Sequence, residues 1–149
     1  MILKFKKIPS KNGQVAKNPA FATEGSACFD LTCNLDEQIT IKPNETVKIP
    51  TGIAIELENN SLVALVFPRS GLSSNFGISL ANCVGVIDAD YRGEILVPLV
   101  NNSSENFTLN PFDRIAQLGI TEIFKPSLVE CKELSDTSRG VSGFGSTGI

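Results

Sequence analysis

The sequence predicts an all-β domain: an antiparallel sandwich, jelly roll or barrel with at most one short helix. Three observations predict it. Short β-type runs recur along the chain with turn residues between them. Apolar and polar residues alternate in Gln38–Lys42 (QITIK) and Ile53–Leu57 (IAIEL), the period of a half-buried strand. No stretch of about 12 residues carries convincing helical periodicity. In order, the expected strands are Ile2–Ile8, Gln38–Lys42, Thr46–Ile49, Gly52–Leu57, Leu62–Phe67, Ile78–Asn82, Gly93–Val100 and Arg114–Phe124. Lys42-Pro43-Asn44-Glu45 turns the second into the third, and Pro50-Thr51-Gly52 turns the third into the fourth. Glu58-Asn59-Asn60-Ser61 introduces the fifth. Ser70–Asn75 has room for one or two helical turns. Asn101–Asn106 and Asn110-Pro111-Phe112-Asp113 supply the last turns. Many short strands at such spacing suit packed or closed antiparallel sheets.

A chain of 149 residues is the size of one domain. Hydrophobic residues are 42% and charged residues 19%, which excludes a disordered chain and a coiled coil. The longest apolar stretch, about Leu62–Phe67, falls far short of the roughly 18 residues a membrane helix needs. Met1–Lys7 sets its Lys residues inside a short apolar run, and no signal-peptide core follows. The expected location is therefore intracellular, in the cytoplasm or inside a host cell if the source is viral. Two parts are expected, a β domain over 1–133 and a flexible arm over 134–149. Ten of those 16 arm residues are Gly, Ser or Thr. A plain spacer has no need of the Arg139 and Phe144 that the arm also carries.

The absent residue types narrow the chemistry. There is no His, so triads, general bases and metal sites built on it are excluded. Cys28, Cys33, Cys83 and Cys131 form no CxxC pair and read as free thiols in a reducing compartment. A net charge of −3 argues against a nucleic-acid surface. No Lys falls between Ile49 and Phe124, and the four Arg sit in compact phrases: PRSG, DYRGE, DRIAQ and SRG. An arginine fork grips phosphate or carboxylate. These arginines could equally pair with the nearby Asp90, Glu94 and Asp113.

Gly85–Ile95 (GVIDADYRGEI) is the most informative phrase. Asp88 and Asp90 share a face if the chain there is extended, so one of them could enter a cleft. Asp and Gly are ordinary turn residues, so a polar hairpin explains the phrase equally well. The functional reading is a carboxylate that activates water beside an aromatic ring. Arg69, a hydroxyl and turn N–H groups leave the end of Leu62–Phe67 together in PRSG, a grouping that suits phosphate. In Asp113-Arg114-Ile115-Ala116-Gln117, regular extension puts Asp113, Ile115 and Gln117 on one face and Arg114 on the other. Gly140–Thr147 (GVSGFGST) approximates a phosphate loop, but Ser146 stands where Lys is needed and no helix can follow.

Five phrases in order carry a family resemblance: ACFDL at 27–31, PRSGL at 68–72, Asn82 with GVIDADYRG at 85–93, DRIAQL at 113–118, and RGVSGFGSTG at 139–148. The chain resembles the trimeric deoxyuridine triphosphatases (dUTPases) from residue 27 onward. The resemblance implies a distorted jelly-roll-like antiparallel β barrel or sandwich, a homotrimer with sites shared between subunits, and Mg²⁺-dependent hydrolysis of dUTP to dUMP and pyrophosphate. It implies that Asp88 activates the water attacking the α-phosphorus, and that Tyr91 stacks under the deoxyribose and leaves no room for a 2′-hydroxyl. Asn82 with the backbone of Gly85, Val86 and Ile87 would read uracil and exclude thymine. Arg69, Ser70, Gly71 and Gln117 would hold the phosphates. Asp30 would contact waters of a Mg²⁺ ion held mainly by the triphosphate. Phe144 would cover the uracil while Arg139, Gly145, Ser146 and Thr147 reach the γ-phosphate. Cys28, Phe112 and Ser142 stand where the family pattern usually has Gly. The implied role keeps uracil out of DNA and supplies dUMP for thymidylate synthesis.

Two rivals differ in testable ways. A dCTP deaminase resembles this fold but needs an acid near Val97 or Pro98, where none stands. A nucleotide sensor would keep the binding residues but has no use for Asp88, and a capsid-like structural jelly roll has no use for an arm carrying Arg139 and Phe144.

Overall fold

The computed structural model describes residues 1–143. Twelve strands and one helix follow in order: β1 Lys4–Lys7, β2 Ala20–Phe21, β3 Phe29–Thr32, β4 Ile39–Ile41, β5 Thr46–Pro50, β6 Ile53–Glu56, β7 Leu62–Pro68, α1 Ser70–Phe76, β8 Ile78–Leu80, β9 Gly85–Ile87, β10 Leu96–Asn101, β11 Phe107–Leu109 and β12 Arg114–Glu122. The strands form four sheets, ordered β2-β3-β12-β7-β9, β5-β10-β8, β1-β6 and β4-β11, and the paired strands run antiparallel. The sheets enclose one core that includes Leu31, Ile41, Ile49, Ile95, Val97, Leu99, Ile115 and Leu118. Each such side chain removed from water is worth about 1.5–3 kcal/mol.

β10 keeps the expected alternation, with Val97, Leu99 and Asn101 buried between less buried neighbours. β6 does not, because Ile53, Ala54 and Ile55 are buried in succession and the strand is covered on both faces. The strand expected from Gly93 begins only at Leu96, since Gly93–Ile95 is committed to a turn and its anchor. Four strands were not expected: β2, β3, β9 and β11, none longer than four residues. β2, β3 and β9 are each held by a longer partner and β11 by the equally short β4, and two to four residues show too little alternation to be read alone. The helix is where Ser70–Asn75 had room for it. It stops at Gly77, which takes the left-handed conformation (φ 67°) and donates its N–H to the Leu72 and Ser73 carbonyls.

Candidate active site

β7 positions both halves of the candidate site. At its C-terminal end the chain passes Pro68 and enters α1 at Arg69–Ser70. Here β12 lies between β3 and β7, with Gln117 opposite both Asp30 and Phe67. Directly opposed residues project on the same face of a sheet. Asp30 and Gln117 therefore face the same way. Arg69 Nε lies 3.4 Å from Asp30 Oδ1, and Arg114 Nη1 lies 3.0 Å from Asp30 Oδ2. Arg69 Nη1 also donates to the Arg114 carbonyl at 3.1 Å, and Gln117 Nε2 donates to the Pro68 carbonyl at 3.2 Å.

Arg114 corrects the sequence reading. Regular extension put it on the face opposite Gln117, but the β3–β12 register slips between Arg114 and Ala116. The bulge buries Ile115 and Ala116 together and returns Arg114 to the face of Asp30. One carboxylate now stands between two guanidinium groups, leaving one positive charge in excess. Beside it, Ser70 and Gly71 are exposed, and nothing lies within 4 Å of where a Gly71 side chain would begin. The group can present fork donors, a hydroxyl and free backbone to an anion.

The other half is carried by β9, which pairs with β7 from Ala64↔Ile87 to Val66↔Gly85, so the Asp88 loop after it lies at the opposite end of β7 and the Asn82 turn before it lies at the Arg69 end. Before β9, Asn82, Cys83 and Val84 form an exposed turn, with Cys83 at φ 62° and its N–H on the Leu80 carbonyl. Gly85 is packed so closely on Val66 that a side chain there would meet Val66 Cβ at 3.1 Å and the Asn82 amide nitrogen at 3.6 Å. After β9 the loop tightens as the Asp88 carbonyl accepts the Tyr91 N–H at 3.1 Å. Asp88 and Asp90 both line an open cleft of about 310 Å³ with Ala89, Asn60 and Lys125, brought there by a turn rather than by extended-chain alternation. The Tyr91 ring folds over Gly93, and its hydroxyl donates to the Glu94 carbonyl at 2.9 Å. Sequence reading offered Arg92 as an anion fork or a partner for Asp90 or Glu94, but both Arg92 and Glu94 bond backbone instead. Arg92 Nη1 bonds the carbonyls of Ala89 and Tyr91, and Glu94 Oε1 accepts the Gly52 N–H at 2.7 Å.

In one chain the two groups stay apart. Ala64 to Pro68 is four residue steps along β7, about 13 Å of strand. Asp88 and Arg69 lie one residue beyond the ends of that span. Arg139 joins neither, since its Nε donates to the Ser142 carbonyl at 2.9 Å within an exposed turn. Phe144, Gly145, Ser146 and Thr147 lie outside the described residues. Cys28 sits against β12, with Sγ 2.8 Å from where a Gly119 side chain would begin.

Known proteins match this arrangement over nearly the whole chain. The dUTPase family profile matches residues 14–148. The deoxyuridine 5'-triphosphate nucleotidohydrolase of Desulfitobacterium hafniense (strain DSM 10664 / DCB-2) is 48% identical over 147 residues, covering 99% of this chain and 97% of that protein. The enzyme of the same name from Neisseria gonorrhoeae (strain NCCP11945) is 50% identical over 130 residues, 87% of each chain. Among solved structures, the dUTPase of Staphylococcus bacteriophage 80alpha with dUpNHpp superposes with a TM-score of 0.82 at 27% identity, covering 99% of both chains. The chain belongs to the dUTPase family, whose members are dUTP diphosphatases.

Proposed function

We propose that this dUTP diphosphatase hydrolyses its substrate by attack of an Asp88-activated water on the α-phosphorus. The water oxygen bonds to the α-phosphorus, the bond from that atom to the bridging oxygen of the β-phosphate breaks, and Asp88 takes the proton. dUMP and pyrophosphate leave. The observation that carries this reading is the exposed Asp88 carboxylate at the rim of a cleft, one residue after the strand that follows the Asn82 turn. A carboxylate suits the task, because its oxygens can accept a proton from the attacking water. Asn82 and the backbone of Gly85, Val86 and Ile87 read the uracil. Tyr91 closes the space beside the sugar, while Arg69, Ser70, Gly71 and Gln117 hold the phosphates.

The donor set fits a Mg²⁺ ion that arrives on the triphosphate. Among the described residues no group of three or more His, Cys, Asp or Glu could hold a metal alone. Asp30 offers one carboxylate within the phosphate-holding group, which suits a hydrated ion bound chiefly by phosphate oxygens. When bound, Mg²⁺ supplies charge neutralisation on the triphosphate.

The separation of the Asp30–Arg69 group from the Asp88 loop supports a homotrimer in which each site joins the two groups from different subunits. The segment 134–149 then closes as an arm, with Arg139, Phe144, Gly145, Ser146 and Thr147 on the bound nucleotide. Among the described residues no helix is long and apolar enough to cross a membrane. We place the enzyme in the cytoplasm, where it keeps uracil out of DNA and supplies dUMP.

The test is pyrophosphate release from dUTP, UTP, dCTP and dTTP with Mg²⁺, comparing the wild type with Asp88→Asn. Turnover confined to dUTP, and lowered by orders of magnitude in the variant, is expected. Ammonia release from dCTP, or wild-type turnover by the variant, would overturn the reading.

A further inference from the structure

The loop from Asp88 to Gly93 is held by bonds that the proposed chemistry does not use. Arg92 turns back beneath its own loop, and Nη1 donates to the Ala89 carbonyl at 2.7 Å and to the Tyr91 carbonyl at 3.0 Å. Those carbonyls flank Asp90, and their residues neighbour Asp88 on one side and carry the stacking ring on the other. One nitrogen therefore fixes the Ala89–Asp90 peptide and the Tyr91–Arg92 peptide together. Ala89 is buried, which holds the loop from within, and the Asp88 carbonyl is already taken by the Tyr91 N–H. The exit is pinned separately. Glu94 Oε1 accepts the Gly52 N–H, and the Ile95 N–H bonds the Ile53 carbonyl at 2.8 Å. Arg92 also lines a cleft with Lys4 and Glu56, on the strands that flank this anchor.

We propose that Arg92 is a positioning residue for hydrolysis: by tying the Ala89 and Tyr91 carbonyls to one guanidinium nitrogen, it sets the direction of the Asp88 carboxylate and the Tyr91 ring. The inference rests on the reading of Asp88 given above. Arg92 touches no substrate in this scheme. A guanidinium suits the task because its donors lie in a rigid plane, whereas a lysine ammonium is a single point at the end of a flexible stem. Its effect belongs in turnover. Uracil reading by the Asn82 turn and phosphate holding by Arg69 and Gln117 lie elsewhere, and a shift of about 1 Å in a reacting group can cost about 100-fold in rate.

The experiment compares wild type, Arg92→Ala, Arg92→Lys, Asp88→Asn and the Asp88→Asn/Arg92→Ala double variant, each as the full chain with dUTP and Mg²⁺. Arg92→Ala is expected to lower kcat by about 10–100-fold with KM for dUTP within about 3-fold. Millimolar guanidinium should restore part of that turnover, and Arg92→Lys should fall between Ala and wild type. The double variant should lose less than the two single losses combined, because the part of Arg92's effect that acts through Asp88 has nothing left to position. Should Arg92→Ala not fold, Arg92→Lys carries the same kcat, KM and double-variant comparison. Unchanged kcat, a KM effect alone, a loss adding in full to that of Asp88→Asn, or a loss that guanidinium cannot rescue in a variant of lowered Tm would each overturn the proposal. Wild-type turnover by Asp88→Asn would instead overturn the underlying reading, so the two failures are distinct.

Discussion

Tyr91 and Gly93 are fitted to one another so closely that the smallest side chain disturbs them. A Cβ at position 93 would lie 2.4 Å from Tyr91 Oη and 2.6 Å from Cζ, well inside contact distance. Gly93→Ala must therefore displace the ring and its bond to the Glu94 carbonyl. We expect a loss of about 10–100-fold in kcat/KM for dUTP, with weaker rejection of UTP, read by steady-state kinetics on both nucleotides. A second prediction concerns Cys33, fully buried on β3's exit with Sγ donating to the Asn110 carbonyl at 3.0 Å. Burial pushes its thiol pKa up, Asp113 nearby adds to the rise, and backbone N–H bonds oppose it. A raised folded pKa stabilises the fold fully below the unfolded thiol's pKa of about 8.5, and that contribution is lost as pH rises through the folded value. Cys33→Ala should flatten the alkaline limb of the stability-against-pH curve measured by urea unfolding. At neutral pH a thiol reagent should reach the exposed Cys83 and leave Cys33 unmodified until the chain unfolds.

At the scale of an element, β12 does the most to assemble the site. It pairs along β7 from Ala116 to Glu122 and along β3 from Arg114 to Leu118, and it buries Ile115, Ala116 and Leu118. Leu118→Ala should cost about 2–5 kcal/mol in urea unfolding, since a fully buried leucine leaves a cavity the sheet cannot close. The bulge predicts a different outcome for Arg114→Ala. Its side chain is about half exposed (53%), so its ion pair with Asp30 should add less than about 1 kcal/mol to stability. It carries one of the two positive charges beside Asp30, so the same substitution should raise KM for dUTP several-fold. A loss of stability without a change in KM would show that Arg114 serves packing alone. The sequence announced β12 as a strand from its apolar run but not its bulge, because register slips depend on the partner strands. β3 went unread for a related reason: four residues with Asp30 in the middle become a strand only between β2 and β12.

At the scale of the whole molecule, the Arg69 group and the Asp88 loop sit at opposite ends of β7, about 13 Å of strand apart. Sedimentation should show a trimer, and a monomer that retains full activity would remove the shared-site proposal. Mixing Asp88→Asn subunits with Arg69→Ala subunits after partial denaturation and refolding should restore part of the turnover, because some sites would receive both intact groups. Truncation after Glu133 should abolish most turnover while leaving the Tm of the β domain within a few degrees, since Leu134–Gly143 has no helix or strand and is exposed. By itself the sequence determined the all-β class, the position of the helix, the exclusion of histidine chemistry and the ordered phrases that hold Asp30, Arg69, Asn82, Asp88, Tyr91 and Gln117. These follow from residue type and local spacing, which any stretch of chain displays alone. Only the tertiary structure decided that Arg114 joins Asp30, that Arg92 and Glu94 brace the Asp88 loop, and that the two groups lie apart. Each of those facts depends on which strands pair and in what register, and pairing is settled by burial across distant parts of the chain.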